Sequence, residues 1–524
     1  MVNLLWKEAT PMYFQCQGKD LEDLNLSALF SYLYEQYKLS LRDFGKVLIH
    51  KEAIVYRQGI LKDFEIHREV FDHLYQVADK LSAMKHLAKY AFEKEATLYN
   101  LLKRVEEAEG VMDRMVSLNE KMAGVKFQSE GLIHLKQVVE EVTQHAYFHA
   151  MKKDIQSIRQ KAKGVQSITL GINLDENLNP TEAILLSLNE ETIKYGRTLK
   201  KINRIIGENL TILKNLPRQL FAPETMIPQD NLNTLEKLIV PAMKQLIDFF
   251  DQFIGRQLDL VGDLLDQLDF YRAGLIYRDL LVSKGFPVCL PEFHESNRGC
   301  KIGQVYNMNL AISQTMEGLW QNAGQMTMNQ WEMSEDGEIF ILTGSNRGGK
   351  TTFTQAIGQC FMLAQLGLYI PAASASLPLF DGIYLHFPAD EVESLALGRL
   401  GEECKRFACL FKQVTNKSLV LMNESFSGTS HLESLTIATE TVRALQKVGC
   451  TVLFNTHLHE LGAKVDELND RMSGLPQVVS LVAGDTTYHQ SFVVTRRAPL
   501  GTSYADEIAK RYGVSFQQLI SMVQ

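Results

Sequence analysis

The stretch Gly344-Ser345-Asn346-Arg347-Gly348-Gly349-Lys350-Thr351-Thr352 meets every fixed position of the pattern G-x-x-x-x-G-K-[ST]. Those residue types at that spacing suit a polyphosphate. Glycines let successive backbone N–H groups converge on phosphate oxygens, and Lys350 adds positive charge at the β/γ end. Thr351 offers a hydroxyl to Mg²⁺, and a helix starting there points its positive end at the anion. Two more clusters follow apolar runs: Asn423-Glu424 after residues 418–422, and His457 after residues 451–455. An apolar strand ending in an acidic pair is the usual metal and base position of nucleotide hydrolases. Glu424 would orient or deprotonate the attacking water, and His457 would sense or stabilise a γ-phosphate. Singly, each has a plainer reading, a carboxylate at a helix start and a satisfied loop histidine. Asn423 is neutral where an aspartate normally holds the metal's water shell, so the expected Mg²⁺ set is Thr351, Asn423 and Glu424, with slow hydrolysis.

These groups need a scaffold that gathers them. Residues 339–343 read as a strand feeding the glycine loop, and 353–368 as a buried helix behind it. Strands at 383–387, 418–422 and 451–455 alternate with helices from Gly398 to Asn416 and from Glu433 to Val448, with an acidic loop at 390–393. That alternation predicts parallel βαβ units, whose ligands lie beyond the carboxyl ends of the strands.

Upstream the pattern changes. Residues 21–135 read as helical almost throughout, with Leu26, Leu29, Phe30, Leu33, Tyr34 and Tyr37 at spacings of three and four. A helix over 133–162 is followed by alternation at 165–174 and an apolar run at 183–188, a strand–loop–strand signal inside a helical region. Residues 151–220 carry twelve Lys+Arg against seven Asp+Glu in a chain of net charge −8. Lys161, Lys163, Lys194, Arg197, Lys200, Lys201 and Arg204 are the candidates for contact with a nucleic-acid backbone, which needs positive charge rather than base-edge geometry. The competing reading is a solvated helix face. Residues 223–230 read as a linker and 232–281 as a long return helix.

Composition excludes several classes. The chain has 524 residues, 45% hydrophobic and 22% charged, which predicts two to four domains with substantial cores. Seven scattered cysteines without C-x-x-C pairs predict neither a zinc site nor a disulfide framework. No secretory signal and no long apolar span is visible, so a cytoplasmic protein away from membranes is expected.

The glycine loop, 367–372, 418–424 with Gly428-Thr429-Ser430, and Asn455-Thr456-His457 with Glu460-Leu461 resemble the ATPase domain of the MutS DNA mismatch-repair family. The tail 501–509 is similar to that family's last motif, and the agreement runs over roughly 285–524. The resemblance implies a multidomain α plus α/β protein. It divides into an N-terminal segment (1–20), a helical core and lever (21–284) with a clamp-like insert at about 164–190, and an ABC-like P-loop ATPase domain (285–524). It implies ATP and Mg²⁺ as cofactors, a homodimer with ATP sandwiched between subunits, and a grip on duplex DNA, mismatched or branched, coupled to ATP. By position, Asn346 would contact phosphate, while Lys350 and Thr351 would meet the β/γ-phosphates and the metal. The Ser-Thr that the family presents to its partner's ATP corresponds to Leu400-Gly401, so that contact would use backbone or Glu402. The family's mismatch-reading domain, with its Phe-x-Glu wedge, is not visible, and neither is an appended nuclease. Two other readings are an ATP-gated scaffold with negligible turnover and an ABC-type ATPase serving a protein partner, the latter favoured by the acidic net charge.

Overall fold

The structure, a computed structural model, describes residues 3–7, 12–90, 98–163, 167–176, 180–189, 191–192, 264–294, 299–316, 323–336, 338–345, 347–388, 398–470, 474–484, 491–499, 513–514 and 516–522. Contacts divide the chain into two compact units: Met1–Val2 with Ile66–Leu265, and Asn3–Glu65 with Asp266–Gln524. The chain crosses between the two at 2/3, 65/66 and 265/266.

In the first unit, helices Arg68–Tyr90, Leu98–Ala123, Glu130–Gln144 and Ala146–Lys163 pack through Phe71, Leu74, Met112, Leu118, Met122 and Leu132, all buried. Each such side chain withdrawn from water contributes roughly 1.5–3 kcal/mol. Lys136 donates to the carbonyls of Ala123 (3.2 Å) and Val125 (3.0 Å), a cation at the negative end of the second helix. The single helix expected over 133–162 is two, because His145 takes an extended ψ of 133° between them. The expected strand pair forms as an antiparallel hairpin, Ser167–Leu174 with Pro180–Asn189, with Ile168 opposite Leu188 and an irregularity after Thr169.

The second unit is organised around a six-stranded sheet. Its elements are β1 (Glu338–Gly344), α1 (Lys350–Leu366), β2 (Ile383–His386), α2 (Gly398–Phe411), β3 (Leu419–Asn423), α3 (His431–Val448), β4 (Thr451–Asn455), β5 (Gln477–Ala483) and β6 (Val494–Arg496). The strand order is β2-β3-β4-β1-β5-β6, parallel except for the β5–β6 pair. Strands β1, β3 and β4 are buried along their whole lengths, which is why they read as unbroken apolar runs rather than alternating ones. A second sheet joins Glu292–Phe293, Ser374–Leu377, Cys300–Val305 and Asn329–Met333.

The N-terminal residues belong to this unit because α1 recruits them. Gln359 Nε2 donates to Leu24 O (2.8 Å), Gln365 Nε2 to Leu48 O (2.8 Å), and the fully buried Arg57 to Leu366 O (3.1 Å) at the end of α1. Inside the stretch expected to be helical, Lys46–Leu48 instead pairs as a strand with Tyr13–Gln15. Three residues are too few to show a period of two, and the partner strand lies thirty residues earlier. All seven cysteines are free thiols. Among the described residues, no helix is long and apolar enough to cross a membrane.

Candidate functional site

The turn from β1 into α1 is possible only with glycine at its first position. Gly344 has φ 140°, and a Cβ there would lie 2.3 Å from the Ala483 carbonyl oxygen on neighbouring β5. The turn closes when Gly348 N donates to Ser345 O at 3.1 Å, and Gly349 enters α1 at φ 85°. Lys350, 5% exposed, folds over this loop and donates from Nζ to the carbonyls of Gly344 and Ser345, both at 3.1 Å. Burial lowers its pKa, and the nearby Glu424 carboxylate partly opposes that shift. The first-turn N–H groups of α1 have no acceptor within their own helix and stand open to an anion.

Parallel register brings the second cluster in. Asn423 and Asn455 are paired positions at the ends of β3 and β4. Thr351 Oγ1 donates to Asn423 Oδ1 at 3.0 Å, and Asn455 Nδ2 donates to the same oxygen and, at 3.3 Å, to Thr351 Oγ1. Within this knot of neutral groups Asn455 Oδ1 is a buried acceptor without a hydrogen-bond partner. Just beyond it the chain turns sharply: Glu424 sits at φ 48° with its N–H on Asn455 O at 2.9 Å. That turn swings the carboxylate towards the end of β4, where Oε1 lies 2.7 Å from His457 Nε2. The bond to His457 is the main cause holding the Glu424 pKa below the usual range, with the Lys350 charge adding to it against burial.

A cavity of about 580 Å³ opens over these groups, lined by Arg347 to Phe353, Glu424 and His457. Asn307, Thr327, Asn329 and Phe492 also line it, none of which the sequence marked. Asn329 donates to Phe492 O (3.2 Å) and accepts from Val494 N (2.8 Å), while Thr327 donates to Ser491 O (3.0 Å). These bonds pin residues 491–494 so that Phe492 lies against Gly349. Partners 163–165 positions apart leave no local pattern to read.

Of the expected site residues, Arg347, Gly348, Gly349, Lys350, Thr351, Thr352, Glu424 and His457 line one cavity, and Gly344, Ser345 and Asn423 touch its residues directly. Leu400 and Gly401 lie on the first turn of α2 and Glu402 just after it, and none of the three lines the cavity. Asn346 and the tail 501–509 lie outside the described residues, as do Lys194, Arg197, Lys200, Lys201 and Arg204. Lys161 and Lys163 end the helix Ala146–Lys163.

Comparison with known proteins agrees with this layout. Residues 340–519 match the family described as MutS domain V, and residues 50–279 match the MutS2 N-terminal domain. The DNA mismatch repair protein MutS of Thermus caldophilus is 34% identical over 370 residues, 69% of this chain and 40% of the relative. That of Thermotoga maritima is 25% identical over 485 residues, 91% of this chain and 54% of the relative. The chain belongs to the MutS family. This MutS-family chain spans about half or less of the length of those two relatives. The domain V match takes in the glycine loop, Asn423-Glu424 and His457, so the residues brought together by the sheet are those of one MutS domain. The MutS2 N-terminal match crosses the helices and hairpin of the first unit and the helix Lys51–Ile66 of the second.

Proposed function

We propose that this MutS-family chain binds and hydrolyses ATP and uses that cycle to control its grip on duplex DNA as a dimeric clamp. The observation that carries the ATP reading is the convergence of Lys350, Thr351 and the Glu424–His457 pair on one cavity at the carboxyl ends of parallel strands. The residues fit the ligand. Lys350 holds two loop carbonyls that phosphate oxygens would replace, the start of α1 offers N–H groups, and a cavity of about 580 Å³ has an aromatic wall at Phe492. Bound ATP with Mg²⁺ would supply the scissile anhydride and the charge-neutralising cation.

In this reading Lys350 neutralises phosphate charge, and Thr351 and Asn423 hold the metal's shell. Glu424, kept ionised by His457, orients and deprotonates water. The left-handed turn at Glu424 sets the carboxylate's direction. Leu400-Gly401 and Glu402 would reach the ATP of a second subunit. Lys161 and Lys163, with the basic residues that follow the hairpin, would contact the DNA backbone. A second reading has specific support: the knot of Thr351, Asn423 and Asn455 contains no carboxylate. A weak hold on Mg²⁺ would make the chain an ATP-gated scaffold with little turnover.

Steady-state phosphate release with and without duplex, mismatched and branched DNA tests the proposal, together with DNA binding at graded salt. Turnover, and binding that weakens steeply with salt, are the expected results. No binding to any DNA form at low salt sinks the clamp and leaves an ATPase acting on a protein partner. Binding of ATP without turnover favours the scaffold.

A further inference from the structure

The turn that carries Glu424 is unusual in its backbone. Glu424 and Phe426 both have positive φ, 48° and 63°, and neither is glycine. Two such residues in three cost on the order of 1–3 kcal/mol each and persist only where their surroundings hold them. Between them sits Ser425, 5% exposed, and its hydroxyl lies 2.6 Å from Nδ1 of His386 at the end of β2. His386, 2% exposed, reaches the other way with Nε2 to the Glu403 carbonyl on α2 at 3.1 Å.

A carbonyl can only accept, so Nε2 carries the proton towards Glu403 O and Nδ1 is the acceptor of the ring. The Ser425 hydroxyl shares its one proton between Nδ1 and the His386 carbonyl, 3.0 Å away, so Ser425 is tied to His386 through both ring and backbone. Burial, reinforced by the Arg406 charge, keeps the ring neutral, which preserves that tautomer. The ring is also gripped on its faces: Phe407 of α2 meets it edge-on at 5.6 Å and Phe426 lies tilted at 5.4 Å. Arg406 of α2 ties the same strand end by donating to Phe387 O at 2.9 Å. On the opposite side, Ser434 Oγ donates to Phe426 O at 2.7 Å.

We propose that His386 and Ser425 form a strut between α2 and the Glu424 turn, so that the placement of α2 sets the aim of the carboxylate at water. The two are positioning residues, since neither lines the cavity. The inference rests on Glu424 being the base. It adds that α2, whose first turn holds Leu400-Gly401, governs turnover through a buried imidazole rather than through the nucleotide alone. A misaimed base loses rate while the phosphate-holding loop stays intact, and misplacement by about 1 Å is enough for a loss approaching a hundredfold.

The test uses the full chain and measures kcat, KM and the affinity for a fluorescent ATP analogue in wild type, His386→Phe, Ser425→Ala and the double variant. Ser425→Ala removes only a hydroxyl, so it stays readable if the ring substitution disturbs the core. The strut predicts kcat lower by about tenfold or more in each single variant, with KM and analogue affinity within about twofold. The double variant should be no slower than the slower single variant, because either substitution alone severs the link. Unchanged kcat in Ser425→Ala overturns the strut, and so does a rate loss fully matched by lost nucleotide affinity. A wild type without turnover, or Glu424→Gln retaining it, removes the assignment of the base and the strut's role with it, a different pattern from failure of the strut alone.

Discussion

Glu424 and His457 share a 2.7 Å hydrogen bond although they end different strands and lie 33 positions apart. The bond lowers the carboxyl pKa, so the base stays ionised at a pH where an isolated glutamate would begin to take up protons. His457→Ala should therefore move the acidic limb of the kcat profile to higher pH. It should also cost turnover roughly 10²-fold if the pair acts as base and orienter. Glu424→Gln should abolish turnover and leave ATP affinity nearly unchanged. Steady-state phosphate release from pH 4.5 to 8 reads both.

Lys350 donates to two loop carbonyls and is mostly buried. Lys350→Ala removes the charge aimed at phosphate, and a lost charge-assisted interaction of about 1.5–3 kcal/mol lowers ATP affinity by roughly tenfold to a hundredfold. Titration calorimetry with ATP is the measurement. Unchanged affinity would remove the glycine loop from the nucleotide site.

Asn423 accepts from both Thr351 and Asn455 through one oxygen. An aspartate can keep both bonds while adding a charge, so Asn423→Asp should lower the half-saturating Mg²⁺ for ATP turnover by about tenfold, on the order of 1.4 kcal/mol. No shift in that titration would mean the residue lies outside the metal's shell.

Gly344 faces the Ala483 carbonyl so closely that an added Cβ would collide with backbone, which cannot rotate away. With φ at 140°, Gly344→Ala is strained on both counts and should destabilise the second unit by about 2 kcal/mol or more. Thermal melting checks the stability, and a loss of ATP binding should accompany the lower midpoint.

The pKa of His386 is lowered from 6.5 to about 4, first by burial and then by the Arg406 charge. With the folded pKa depressed, the unfolded chain takes up the proton first as pH falls. The contribution is therefore complete above about pH 6.5 and is lost progressively down to about pH 4, a difference of about 3 kcal/mol. Urea midpoints at pH 7, 5.5 and 4 should show it, and His386→Phe should flatten the dependence.

Much of the second unit was legible because its signals are local. A glycine-loop spacing is fixed by phosphate geometry within nine residues, and β1, β3 and β4 are buried on both faces, so each announces itself as an apolar run. Residue types alone therefore placed Lys350, Thr351, Asn423, Glu424 and His457 in one chemistry, and the alternation of strands and helices placed them at one end of a sheet. The basic candidates Lys194 to Arg204 lie outside the described residues. Tertiary structure decided what depends on distant partners. It placed Phe492 on the glycine loop through Asn329, brought Leu24 and Leu48 onto α1 through buried glutamines, and linked α2 to Glu424 through His386 and Ser425. Such contacts join residues tens to hundreds of positions apart and leave no period or spacing in the chain. The glycine loop could be read from its own residues, whereas the aim of Glu424 depends on a turn that only its packed neighbours hold in place.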